Sequence, residues 1–115
     1  MTFTIWHNPH CSKSRQALSL LQSKGVEPDV VLYLKTPPTP DVLKSVLSKL
    51  GMRPIELVRQ KEAREEGMSP ETLSDNDLIA FMCAHPNVIE RPVVIHEEKA
   101  CLARPPENVL ELLPA

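Results

Sequence analysis

The stretch His7-Asn8-Pro9-His10-Cys11-Ser12-Lys13-Ser14-Arg15 gathers the residue types in this chain best suited to chemistry. It seats a cysteine at the join between an apolar strand and a helix. The first turn of a helix leaves backbone N–H groups unpaired, so the positive end of its dipole faces the Cys11 sulfur. That setting favours the thiolate, the form that attacks an electrophile. His7 and Lys13 add potential cations, and Arg15 lies at i+4 from Cys11 on the same side of the helix. Ser12 and Ser14 offer hydroxyls and amides that suit an anion. A lone cysteine near a helix start also fits a small buried apolar side chain; its cationic and polar neighbours favour a reactive one.

The elements that must hold this loop follow from the apolar pattern. Met1 to Trp6 reads as a strand, and Asn8-Pro9 as the turn that ends it. A helix from near Cys11 carries Ala17, Leu18 and Leu21 on one face, with Leu20 beside it, and stops at Lys24-Gly25. Val30 to Leu34 reads as a second strand, apolar on both faces as for a strand inside a covered sheet. The strand–helix–strand order implies a right-handed crossover and a parallel pair. Thr39 as N-cap and Pro40 at the first helical position open another helix, with Val42, Leu43, Val46, Leu47 and Leu50 at helical spacing up to Gly51.

A short apolar turn at Ile55, Leu57 and Val58 precedes the charge run Arg59 to Glu66. That run reads as a solvated face, except that the apolar turn anchors Arg59. A helix after Ser74 or Asp75 turns Leu78, Ile79 and Met82 inward and ends at His85-Pro86. Pro92 to Ile95 and Ala100 to Ala103 read as an antiparallel hairpin about a turn at 97–99. Pro105-Pro106 opens a closing helix with Val109, Leu110 and Leu113 on one face. The sum is a single α/β domain over residues 1–115: a thioredoxin-like, four-stranded mixed sheet. Its helical insert, roughly 39–86, lies between the βαβ and ββα halves.

Composition narrows the function. A 115-residue chain is long enough to bury one core without disulfide staples. A net charge of −2 gives no general affinity for nucleic acid, and 3% aromatics supply no base-stacking surface. No apolar run approaches the ~20 residues that span a bilayer. The first residues lack the basic start and long apolar stretch of an export signal, so the cytoplasm is the expected location. Three cysteines without a C-x-x-C pair argue against a disulfide framework and against structural zinc. Cys83, four residues after Ile79, and Cys101, in a short apolar run, are expected to be buried and structural.

Taken together, several segments resemble the glutaredoxin-coupled arsenate reductase family, ArsC, in a shorter, reductase-like branch. They are His7-Asn8-Pro9-x-Cys11-x-x-Ser14-Arg15, Arg59 after its apolar turn, Arg91-Pro92 before a strand, and Arg104-Pro105 after the hairpin. The resemblance runs the length of the chain, including Pro37-Pro38-Thr39 and the closing Leu110-Glu111-Leu112-Leu113-Pro114. It implies that Cys11 is the nucleophile and that Arg59, Arg91 and Arg104 bind the oxyanion, with His7, Asn8, Ser14 and Arg15 in support. It also implies that Pro92 is cis. Fixed guanidinium donors suit a tetrahedral oxyanion that gains negative charge during displacement.

The mechanism implied is attack of Cys11 on arsenate, then glutathione on the adduct, then glutaredoxin on the glutathione so that arsenite leaves. Glutathione is thus a co-substrate and glutaredoxin a partner. No bound cofactor, metal, nucleic acid or membrane is required, and a monomer is expected. Ser14 stands where a dithiol protein carries its resolving cysteine, so an outside thiol is needed. The loop departs from the Cys-Gly-Thr-Ser-Arg of the better-characterised arsenate reductases at Ser12 and Lys13, and the sequence lacks the polar tail of some members. Two other readings remain open. One is an Spx-like regulator that binds RNA polymerase without catalysis, although such proteins usually carry C-x-x-C. The other is a thiol-dependent reductase acting on a different substrate.

Overall fold

The computed structural model describes residues 2–113, which fall into two compact units. One comprises the residues up to Thr36 and those from Arg91 onward; the other is Pro37–Glu90. In the first unit, strands β1 (Phe3–Trp6), β2 (Asp29–Val31), β3 (Val93–His96) and β4 (Lys99–Leu102) form a sheet in the order β2-β1-β3-β4. β1 runs parallel to β2 and antiparallel to β3, and β3 and β4 form the antiparallel hairpin. Helix α1 (Ser12–Ser23) makes the crossover between β1 and β2. This is the thioredoxin-like mixed sheet.

The register sets Ile5 opposite Val94 and Val94 opposite Cys101, so these three share one face. Ala17 and Leu21 of α1 close on that face together with Val109 and Leu112 from a closing 3₁₀ helix, Pro106–Leu112. Each large aliphatic side chain buried there contributes roughly 1.5–3 kcal/mol.

Three expectations are corrected in this unit. The second strand ends at Val31, and it is an edge strand whose Val30 is 45% exposed. The chain turns out of the ladder at Leu32, whose carbonyl accepts from Lys35 and Thr36 N–H, both at 2.9 Å. An apolar run shows that a strand can be covered without showing its place in the sheet order. The closing helix is 3₁₀ rather than α, and its buried residues are Pro106, Val109 and Leu112. With three residues per turn, positions i, i+3 and i+6 lie on one side. Leu110, expected inside, is therefore exposed. Of the segments read from sequence, Met1 and Pro114 lie outside the described residues.

The second unit is helical: α2 (Pro40–Leu50), α3 (Pro54–Leu57), α4 (Gln60–Glu65) and α5 (Asp75–Ala84), with 3₁₀ turns at Pro70–Thr72 and Pro86–Val88. Thr39 Oγ1 accepts from Val42 N–H at 3.3 Å, and Pro40 occupies the first turn. Gly51 ends α2 at φ +68°, a left-handed conformation that glycine adopts without cost. Ser74 caps α5 by accepting from Asp77 N–H at 3.2 Å. Leu43, Val46 and Leu47 of α2 are buried, as are Leu78, Ile79, Phe81 and Met82 of α5, and the two helices pack together. Cys83 is half-buried rather than a core residue. Among the described residues no helix is long and apolar enough to cross a membrane.

Candidate active site

The loop between β1 and α1 is built by its own polar groups. Asn8 accepts twice, its side chain from His10 N–H at 3.0 Å and its carbonyl from Cys11 N–H at 3.0 Å. This is the local turn that asparagine favours. Cys11 then takes an extended backbone (φ −97°, ψ 122°) as the N-cap of α1, and its carbonyl accepts the first helical bond, from Arg15 N–H at 3.0 Å. The cysteine therefore sits against the free amides of the first turn.

Burial alone pushes the Cys11 thiol up, but three other influences together outweigh it and hold its pKa below the ordinary value. They are the backbone N–H of Ser14, the Arg91 guanidinium, which also donates a hydrogen bond, and the backbone N–H of Lys13. The thiol closes no cap hydrogen bond of usual geometry. The amides act on the thiolate as oriented dipoles rather than as a tight cap.

Arg91 is thus the cation beside Cys11. It lies on the chain just before β3, where the Arg91–Pro92 bond is cis; the Arg104–Pro105 bond is cis as well. Arg104 Nη1 donates to the Arg91 carbonyl at 3.1 Å. Arg91 and Arg104 are in this way joined to each other, and Arg91 to the nucleophile. Ala103 N–H donates to the Pro92 carbonyl at 2.9 Å, which closes the base of the hairpin beneath them.

His7 and Arg15, expected as cations for the thiolate, have other tasks. His7 is buried, and burial first, then the nearby Arg15 charge, lowers its pKa. A neutral ring is favoured, whose Nδ1 can accept the Ser14 hydroxyl proton across the 2.6 Å contact. Ser14 Oγ in turn accepts from Asn8 N–H at 3.0 Å. Arg15 Nη1 donates to the Pro9 carbonyl at 2.8 Å, so it ties the loop to the helix. Because Ser14 is fully buried, Ser14→Ala would leave the His7 ring nitrogen and the Asn8 amide without their partner. We expect that variant to lose about 1–3 kcal/mol in a denaturant melt. An unchanged midpoint would contradict the role assigned to Ser14.

Arg59 belongs to the second unit. Its backbone N–H donates to the Val88 carbonyl at 2.6 Å, beside an antiparallel bridge between Val58 and Ile89. The guanidinium pairs with Glu62 at 3.3 Å and with Glu90 at 3.6 Å. The apolar turn does anchor it, as Leu57 and Val58 are buried.

Sequence reasoning passed over Asn108. Its side-chain amide donates to the carbonyls of Leu102 (3.1 Å) and Arg104 (3.4 Å), clasping the segment that carries Arg104. The available signal was a polar residue inside an apolar repeat, just after two prolines. The other cysteines are unlike Cys11. Burial first, and then the Glu111 carboxylate, push Cys101 up to about 12, while burial raises Cys83.

The model of the ArsC family matches residues 6–112. The chain is 48% identical to the uncharacterized protein YfgD of Escherichia coli strain K12 over 112 residues, 95% of this chain and 94% of that protein. It is 42% identical to an arsenate reductase of Escherichia coli over 113 residues, 96% of this chain and 80% of that protein. The structure of an arsenate reductase from Vibrio cholerae superposes with a TM-score of 0.88 at 42% identity, covering 98% of both chains.

Proposed function

The chain belongs to the ArsC family, and on that footing we propose that it is an arsenate reductase in which Cys11 is the nucleophile. The observation that carries this reading is the Arg91 guanidinium beside a Cys11 whose thiolate the α1 amides also favour. The thiolate attacks arsenic(V); one arsenate oxygen, once protonated, leaves as water, and a Cys11 S–As bond forms. Arg91 offers a planar, two-pronged donor to the oxygens that gain charge in this displacement, with Arg104 alongside it. Arg59 carries its oxyanion-binding role from the family pattern alone.

Reduction needs two electrons that Cys11 cannot supply without a second thiol. In this proposal the glutathione thiol condenses with the Cys11 adduct, an As–O bond breaking and its oxygen leaving as water as the As–S bond to glutathione forms. A glutaredoxin thiolate then attacks the glutathione sulfur. That step breaks the As–S bond to glutathione and forms a mixed disulfide between glutathione and glutaredoxin. The released electron pair leaves arsenic(III) on Cys11, and hydrolysis frees arsenite and the thiol. A reducing cytoplasm would supply both thiols, and a single chain carries Cys11, Arg91 and Arg104.

The test is arsenite release by purified protein given arsenate with glutathione and glutaredoxin. The expected result is turnover with that pair and little with thioredoxin alone. No arsenite under either regime would contradict arsenate as substrate.

A further inference from the structure

The cations near Cys11 differ in whether they are already engaged. Arg91 acts on the thiolate, Arg104 donates to the Arg91 carbonyl, and Arg15 donates to the Pro9 carbonyl. Lys13 is different. It lies in the first turn of α1, two residues after the Cys11 N-cap, which fixes the base of its side chain beside the nucleophile. The side chain itself is exposed and makes no hydrogen bond or ion pair among the described residues. The first turn of α1 holds no acidic residue to neutralise it. A lone ammonium therefore stands two residues from the reacting sulfur, facing solvent.

We propose that Lys13 selects the thiol co-substrate by pairing its ammonium with a carboxylate of glutathione as the glutathione sulfur approaches Cys11. This rests on the reading above, that Cys11 exchanges with glutathione. Glutathione carries two carboxylates against one ammonium and must arrive from solvent, the side to which Lys13 is open. A compact charge on a flexible stem suits a carboxylate that moves with a large co-substrate, whereas the planar fork of Arg91 suits the fixed oxyanion.

The test omits arsenate. The Cys11 thiolate attacks glutathione disulfide, forming a Cys11–glutathione disulfide and releasing one glutathione thiolate, so the exchange is redox-balanced. Its rate, followed by mass spectrometry at Cys11, is compared with that for hydroxyethyl disulfide, which carries no charge. In Lys13→Ala the ratio of the two rates should fall about three- to ten-fold, the scale of a partly screened charge pair. Lys13→Glu should lower it further, Lys13→Arg should retain it, and added salt should reduce the wild-type preference. An unchanged ratio in both Lys13→Ala and Lys13→Glu overturns the proposal. Failure of arsenite release alongside a lowered ratio would instead reject arsenate as substrate and leave Lys13 as the selector for glutathione.

Discussion

Cys11→Ser is expected to abolish arsenate reduction, lowering turnover by roughly 10⁴-fold or more, as removal of a covalent nucleophile commonly does. A serine hydroxyl at the same N-cap would face the same amides and the same guanidinium but would stay protonated at neutral pH. The field that lowers the Cys11 pKa has too little leverage on a far weaker acid. Neither of the other thiols can substitute. Cys101 is buried in the first unit with its pKa pushed up to about 12, and burial also raises Cys83, so both remain neutral thiols at working pH. Replacing both, Cys83→Ser with Cys101→Ala, should therefore retain most of the activity. The Cys101 change costs on the order of 1 kcal/mol of stability for the small space it leaves. A double variant that melts cooperatively yet releases no arsenite would contradict dependence on an external thiol and point to an internal relay.

Arg91→Ala should have the second-largest effect, because Arg91 acts twice. Its guanidinium favours the Cys11 thiolate, and it is the proposed donor to the oxyanion. Loss of such a donor costs about 2–4 kcal/mol of transition-state stabilisation, or roughly 10²–10³ in turnover. The sign of the pH effect follows from the lowered Cys11 pKa. The thiolate is present above that pKa and is lost as pH falls through it. Without Arg91 the pKa moves back up, so the acid limb of the rate profile shifts to higher pH. Arg91→Lys should restore part of the thiolate but less of the oxyanion handling, since lysine offers a point charge in place of a fork. Wild-type turnover and an unshifted profile in Arg91→Ala would reduce Arg91 to a structural residue whose carbonyl receives Arg104.

What the sequence made legible was local. The Cys11 loop could be read because a turn signal, a helix start and a cysteine stand within a few residues. Thr39 and Ser74 could be read as caps because the hydroxyl and the amide it serves are three residues apart. The identity of the cation beside Cys11 was not local. Nearness in sequence pointed to His7, Lys13 and Arg15, but burial disfavours a charge on the His7 ring, Arg15 is tied to Pro9 and Lys13 is exposed to solvent. Arg91 reaches the site only because β3 lies beside β1 in the sheet. Its assignment as an oxyanion ligand came from the family pattern, and its proline-flanked strand end in a thioredoxin-like sheet put it within range of the nucleophile loop without showing contact with the thiol. The exposure of β2 and the three-residue period of the closing helix were hidden for a related reason. Apolar periodicity reports that a segment is covered, while strand order and the choice between α and 3₁₀ depend on what covers it.

The most direct test of the central claim, an activated thiolate at Cys11, is the pH dependence of iodoacetamide labelling, resolved by mass spectrometry at each cysteine. Cys11 should label fastest at neutral pH and keep that reactivity below the pH at which ordinary thiols lose theirs. Cys101 should stay unlabelled, and Arg91→Ala should move the Cys11 curve to higher pH. A Cys11 that labels no faster than an unperturbed thiol, with the same curve in both proteins, would contradict the account.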